Sequence, residues 1–126
     1  MMNVYKENYK HIDKLTGGLL NFISSPNGYL KLKSQPYMDL TIERIGPDEI
    51  SLTHYYEQNG DLVPDPDMQV RIDFQNETAE ALTCQDWICF RAVYPEPGKV
   101  NLKLKKDLNF FLLQWLKGLK KQGFYK

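Results

Sequence analysis

HYYEQNGDLVPDPDMQVRID, residues 54–73, lies where two alternating runs meet, and the fold hangs on how it is read. Upstream, Ile50, Leu52, His54 and Tyr56 alternate with Ser51, Thr53 and Tyr55. Downstream, Met68, Val70, Ile72 and Phe74 alternate with Gln69, Arg71 and Asp73. A period of two sustained over such lengths marks strands with one buried and one wet face. Between the runs, residues 57–67 hold four acids, two prolines and a glycine in eleven positions. A tight hairpin uses about two to five residues, so the stretch reads as a long acidic loop. Asn59-Gly60 supplies a turn within it, and Asp65-Pro66-Asp67 suits an extended or turning segment after it.

The same alternation extends to both sides. Leu30 and Leu32 alternate with Lys31 and Lys33, and Met38, Leu40 and Ile42 with Asp39, Thr41 and Glu43. Two further strands are expected over 78–84 and 88–94. Gly46-Pro47-Asp48, Gln75-Asn76 and Pro95-Glu96-Pro97-Gly98 punctuate the series. Six short strands in succession make an antiparallel meander.

The period changes at both ends of the chain. Tyr5, Tyr9, Ile12, Leu15, Leu19 and Phe22 form one apolar helical stripe, with Asn3 as N-cap and Gly17-Gly18 as a weak point inside it. Leu104, Leu108, Phe111, Leu112, Trp115, Leu116 and Leu119 form another, stopped by Gly123. A sheet with one apolar face must cover it. The expected fold is therefore α+β, a single domain over 1–126 with an N-terminal helix, six strands and a C-terminal helix, both helices on one sheet face.

The bulk properties agree. At 126 residues, 42% apolar and 25% charged, the chain suits one globular domain rather than a disordered segment. No apolar run approaches the roughly 20 residues of a membrane span, and no signal-peptide pattern opens the chain. A cytoplasmic protein without a membrane partner is expected. The zero net charge conceals segregation: +2 over 1–47, −9 over 48–98 and +7 over 99–126. The last segment is a basic helix face, either solvated or turned to a partner.

Cys84 and Cys89, spaced C-x4-C, lack the further ligands zinc requires. With a turn at Asp86-Trp87 they would face each other across a hairpin, near enough to be bridged, and a cytoplasmic location favours two packed, reduced thiols over the bridge. Counting back from Gly60, a helix-loop-helix calcium pattern would need a ligand at Tyr55, which has none to offer. Asp61, Asp65 and Asp67 are separated by stiffening prolines, so neither a metal nor a cofactor is expected. His54 follows the inward set and reads as a core histidine. No nucleophile elbow or glycine-rich phosphate loop is present. The lysines of the last helix come with almost no arginine to read bases, a faint nucleic-acid footprint.

The segments LTIERIGPDEISLTHYYEQNGDLVPDPDM and HYYEQNGDL-x-x-DP-x-M, the latter at residues 54–62 and 65–68, resemble an uncharacterised family of small bacterial proteins, many encoded on mobile elements. More distantly, the LTIE and MQVRID strands and the QWLKGLKKQG ending look like YqiB-like proteins of unknown function. The resemblance implies a stand-alone accessory protein and brings no catalytic residue. The expected function is non-catalytic protein binding through the 55–68 loop and adjoining wet sheet face, by Tyr55, Tyr56, Glu57, Asn59, Asp61, Asp65 and Asp67. Alternatives are a small-ligand protein or enzyme with a pocket near His54, and nucleic-acid binding by the lysine-rich helix. The oligomeric state stays open.

Overall fold

The computed structural model describes residues 3–126. Helix α1, Val4–Thr16, starts where the Asn3 side chain accepts hydrogen bonds from the backbone N–H groups of Tyr5 and Lys6 at 3.0 and 3.3 Å. The stripe continues as expected but not in one helix. Gly17 adopts φ +74°, a left-handed conformation that ends α1 in place of merely bending it. Helix α2, Leu19–Ser24, then restarts, with the Asp13 carboxylate accepting from Leu19 N–H at 2.8 Å.

The sheet has six antiparallel strands in sequence order: β1 Tyr29–Leu32, β2 Leu40–Gly46, β3 Glu49–Gln58, β4 Asp61–Asp73, β5 Thr78–Gln85 and β6 Phe90–Ala92. Helix α3, Leu102–Lys121, closes the chain, capped by Asn101 and followed by Gly123 at φ +91°. The three helices pack on one face. There, Leu40, Ile42, Ile50, Leu52, Met68, Val70 and Ile72 meet Ile12, Leu15, Leu19, Leu112, Leu116 and Leu119 in one buried cluster. Each such aliphatic side chain contributes about 1.5–3 kcal/mol on burial.

Three local expectations change. The eleven-residue loop does not exist: β3 and β4 run on into it and meet at a two-residue turn, Asn59-Gly60, with φ +53° and +85°. Positive φ at both positions is the type I′ requirement that Asn-Gly satisfies. Cys84 and Cys89 are not packed together; Cys84 is buried and pairs across the strands with Arg91, while Cys89 is exposed. The reason is the turn, which is longer than two residues. The Asp86 carboxylate accepts from Ile88 N–H and Cys89 N–H, both at 2.8 Å, and this holds residues 87–89 out of the ladder. Finally, Met38 and Phe111 lie 44% and 45% exposed, off the apolar face assigned to them, because β2 begins only at Leu40 and α3 turns Leu113 inward instead.

A bulge fastens α3 to the sheet. Between Gln69–Thr83 and Val70–Ala81 the β4–β5 register slips by one residue at Leu82. Ala81 N–H donates to the side-chain oxygen of buried Asn109 on α3 at 2.8 Å, and the Asn109 amide donates to Lys105 C=O at 2.8 Å.

Candidate functional site

On the wet face of the sheet, register sets out rows of side chains. Tyr29 of β1 lies beside Glu43 of β2, and Lys31 beside Thr41, which is followed by Thr53 and then Asp67. Thr53 donates its hydroxyl to Asp67 Oδ1 at 2.9 Å, closing that row. Farther along β3 come Tyr55 and Glu57, paired with Pro64 and Leu62. The connection from β1 to β2 brings Tyr37, Met38 and Asp39 to the same place, with Asp39 Oδ2 at 3.8 Å from both Lys31 Nζ and Lys33 Nζ. Of these, Tyr29, Lys31, Thr41, Glu43, Tyr55, Glu57 and Leu62 join Tyr37, Met38 and Asp39 in lining an open cleft of about 510 Å3.

Its walls are mainly aromatic and apolar, and they face water. Tyr29, Tyr37, Met38, Tyr55 and Leu62 are between 40% and 71% exposed. The cleft also carries negative charge. Partial burial, then the Asp67 carboxylate, push the Tyr55 phenol above its ordinary pKa, and Glu43 adds to the effect. Tyr55 is therefore a neutral hydrogen-bonding group across the physiological range.

A second cavity, of about 290 Å3, opens on the other side of Tyr37 and Met38, beneath α3. It is lined by His54, Asp65, Pro66, Trp115, Gly118 and Gln122 besides those two. The ladder slips here, so that Asp65 and Pro66 together oppose His54, between the Thr53–Asp67 and Tyr55–Pro64 pairs. Pro66 has no N–H to give to the ladder, which suits it to the bulge. The imidazole of His54 sits 5.5 Å from the Trp115 ring and 5.8 Å from that of Phe124. Its Nδ1 lies 3.0 Å from the Asp39 carbonyl oxygen, and since a carbonyl only accepts, Nδ1 carries the proton. His54 is thus a buried, satisfied residue, as its place in the alternation implies.

The seven residues singled out from the sequence divide among three places. Tyr55, Glu57 and Asp67 belong to the wet face, with Tyr56 at the margin of the same cleft. Asn59 and Asp61 are at the exposed hairpin tip. Asp65 belongs to the His54 cavity. The three aspartates of this segment thus do not converge on one point. Sequence reasoning missed Tyr29, Lys31, Tyr37, Met38, Glu43 and Leu62. Tyr29 was within reach, as the residue that extends the polar phase of Lys31 and Lys33, whereas Met38 was hidden by an alternation that placed it inside.

No curated protein and no solved structure matches this chain. A family model does, over residues 7–125, which takes in both helical ends and all six strands. The chain belongs to the family described as Domain of unknown function (DUF6908).

Proposed function

We propose that this chain is a non-catalytic accessory protein that holds an extended, cationic and apolar segment of a partner protein on the wet face of its sheet. One observation carries the reading: five large apolar side chains, Tyr29, Tyr37, Met38, Tyr55 and Leu62, stand in water around one cleft. Exposed apolar groups gathered in a patch mark interaction surfaces, and Tyr and Met are enriched in interface cores. Glu43 and Glu57 at the cleft favour lysine or arginine in the partner, while Asp39 faces Lys31 and Lys33 of the chain itself.

The test is selection of random peptides displayed on phage against the folded chain. Enriched peptides are expected to combine aromatic or aliphatic residues with Arg or Lys, and to shift the amide resonances of 29–31, 38–43 and 53–57. Tyr55→Ala with Leu62→Ala should abolish their binding and leave the fold intact. Enriched peptides that map to another surface, or that bind the double variant equally, refute the reading.

A small-ligand function has the His54 cavity in its favour. At about 290 Å3 it falls at the lower margin of ligand pockets, which run from about 300 to 1,000 Å3. Nδ1 of His54 is already engaged with a main-chain carbonyl. The wet-face cleft is the better supported of the two.

A further inference from the structure

The positive charge of the C-terminal segment is not spread evenly along α3. Towards the start of the helix, Lys103 bonds Asp107 at 2.8 Å and Lys105 lies 3.5 Å from Glu80. Lys117, Lys120 and Lys121, at the other end, have no carboxylate within 4.0 Å among the described residues. They line a groove of about 670 Å3 with His11, Gln114 and Gly118. The dipole of α3 favours cations in its last turn, which accounts for lysines there. It does not account for a concavity, nor for the contribution of a second helix.

That contribution comes from α1. Lys14 stands one turn after His11, and Lys14, Lys117 and Lys120 all act on the His11 ring. Burial first, then these lysines, hold His11 below its ordinary pKa, against an opposing pull from Glu7 on its own helix. Tyr125, from the chain after α3, completes the surroundings. Its hydroxyl donates to Leu116 C=O at 2.8 Å, so it accepts from His11 Nδ1–H. The tautomer is fixed, and His11 Nε2 is the nitrogen left to bond a ligand. Gly118 adds an independent sign. A Cβ built there meets no atom within 4 Å, so packing does not require glycine. A glycine inside a helix is disfavoured relative to alanine, and its effect here is to leave the groove wall bare.

We propose that the groove between α1 and the C-terminal half of α3 binds a compact polyanion bearing two or more phosphate groups. Lys117, Lys120, Lys121 and Lys14 supply the charge, Gln114 adds hydrogen bonds, and His11 adds one when it takes up a proton on Nε2. A compact ligand is favoured over a nucleic-acid strand because Lys117, Lys120 and Lys121 gather in one concavity, while Lys103 and Lys105 farther along are engaged and Lys106 stands outside it. The site does not depend on the peptide-binding cleft, which opens on the opposite face of the sheet.

The experiment is a titration of the full, isotope-labelled chain with sodium pyrophosphate, against sodium chloride at equal ionic strength. Saturable shifts are expected at Gln114, Lys117, Gly118 and the His11 ring. The His11 titration midpoint should rise by roughly one unit as the anion offsets the lysines. Lys117→Gln with Lys121→Gln, which alters only surface side chains, should weaken binding by about tenfold or more. Shifts matched by chloride, shifts spread equally over Lys31, Lys33 and Lys106, or an unmoved His11 midpoint would each overturn the proposal. So would a short single-stranded oligonucleotide that binds more tightly than pyrophosphate and extends the shifts to Lys106, since that describes a nucleic-acid surface.

Discussion

At the root of the β3–β4 hairpin, Ile50 pairs with Val70 and Leu52 with Met68, and all four side chains are fully buried beneath the helices. Toward the tip, Tyr56 and Val63 continue that face and are only half-buried, whereas Glu57 and Leu62 pair on the opposite, wet face, where Leu62 is 71% exposed. Both halves alternate, both are hydrogen-bonded ladders, and one slip at Asp65-Pro66 divides them. What differs is the cover. The aromatic rings of Trp115 and Phe124 reach as far as His54, and the strands continue beyond them. Alternation therefore specifies which side chains share a face and sets Leu62 with Tyr55 on the wet one, whereas the reach of the packing layer decides how far along the helix side the core extends.

The largest test of this contrast exchanges equivalent truncations between the halves. Leu52→Ala should cost about 2–5 kcal/mol, because a buried cavity adds to the lost transfer energy. Leu62→Ala removes the same atoms from an exposed position, and should change stability by less than about 0.5 kcal/mol while weakening peptide capture. Urea unfolding of both variants measures the difference. Similar losses from the two would mean that the tip is core after all and that the cleft is not free for a partner.

The next effect concerns how the root is fastened. Asn109 is the partner of the Ala81 N–H at the β5 bulge, so Asn109→Ala leaves that buried donor unsatisfied, at about 1–3 kcal/mol. Hydrogen exchange supplies the sharper reading. The Ala81 amide should lose protection in the variant well beyond what the global destabilisation explains. If it stays protected, the bulge is satisfied elsewhere and α3 is held to the sheet by apolar packing alone.

These two cases also show what the sequence discloses. Leu40, Ile42, Leu52, Val70 and Ile72 announce their face by spacing, since the pleat gives alternate residues opposite directions and only apolar ones tolerate the dry side. Asn3 likewise announces a helix start through cap chemistry. Asn109 announces nothing. Set in the helical stripe, it is a polar residue whose use depends on a one-residue slip in a strand 28 positions away. The 57–67 segment misleads for a related reason. Its acids and prolines look like loop composition, yet Asp61, Val63, Asp65 and Asp67 belong to an extended strand whose outer edge and faces meet water, where charge costs little. The wet-face cleft is legible only in part. Tyr55 and Glu57 lie in one strand, but the cleft is completed by β1 and by residues 37–39, which come together through the register of three strands.

The smallest effect asks whether root and tip are separate units at all. Gly60 holds φ +85° at the turn, and a Cβ there meets no atom within 4 Å. Gly60→Ala thus adds no clash, only the backbone cost of a left-handed alanine, about 1–2 kcal/mol. If the tip opens by itself, that cost falls on local opening. Amide exchange should then quicken at 55–58 and 61–63, stay unchanged at Ile50 and Val70, and leave the urea midpoint almost where it was. If the hairpin opens only as a whole, the full cost appears in the global unfolding free energy and root amides quicken in step. The first result makes the tip a locally adjustable arm on a rigid base, able to close over a bound segment. The second makes the cleft a preformed surface, whose affinity for a peptide would owe more to its fixed tyrosines than to any movement of the arm.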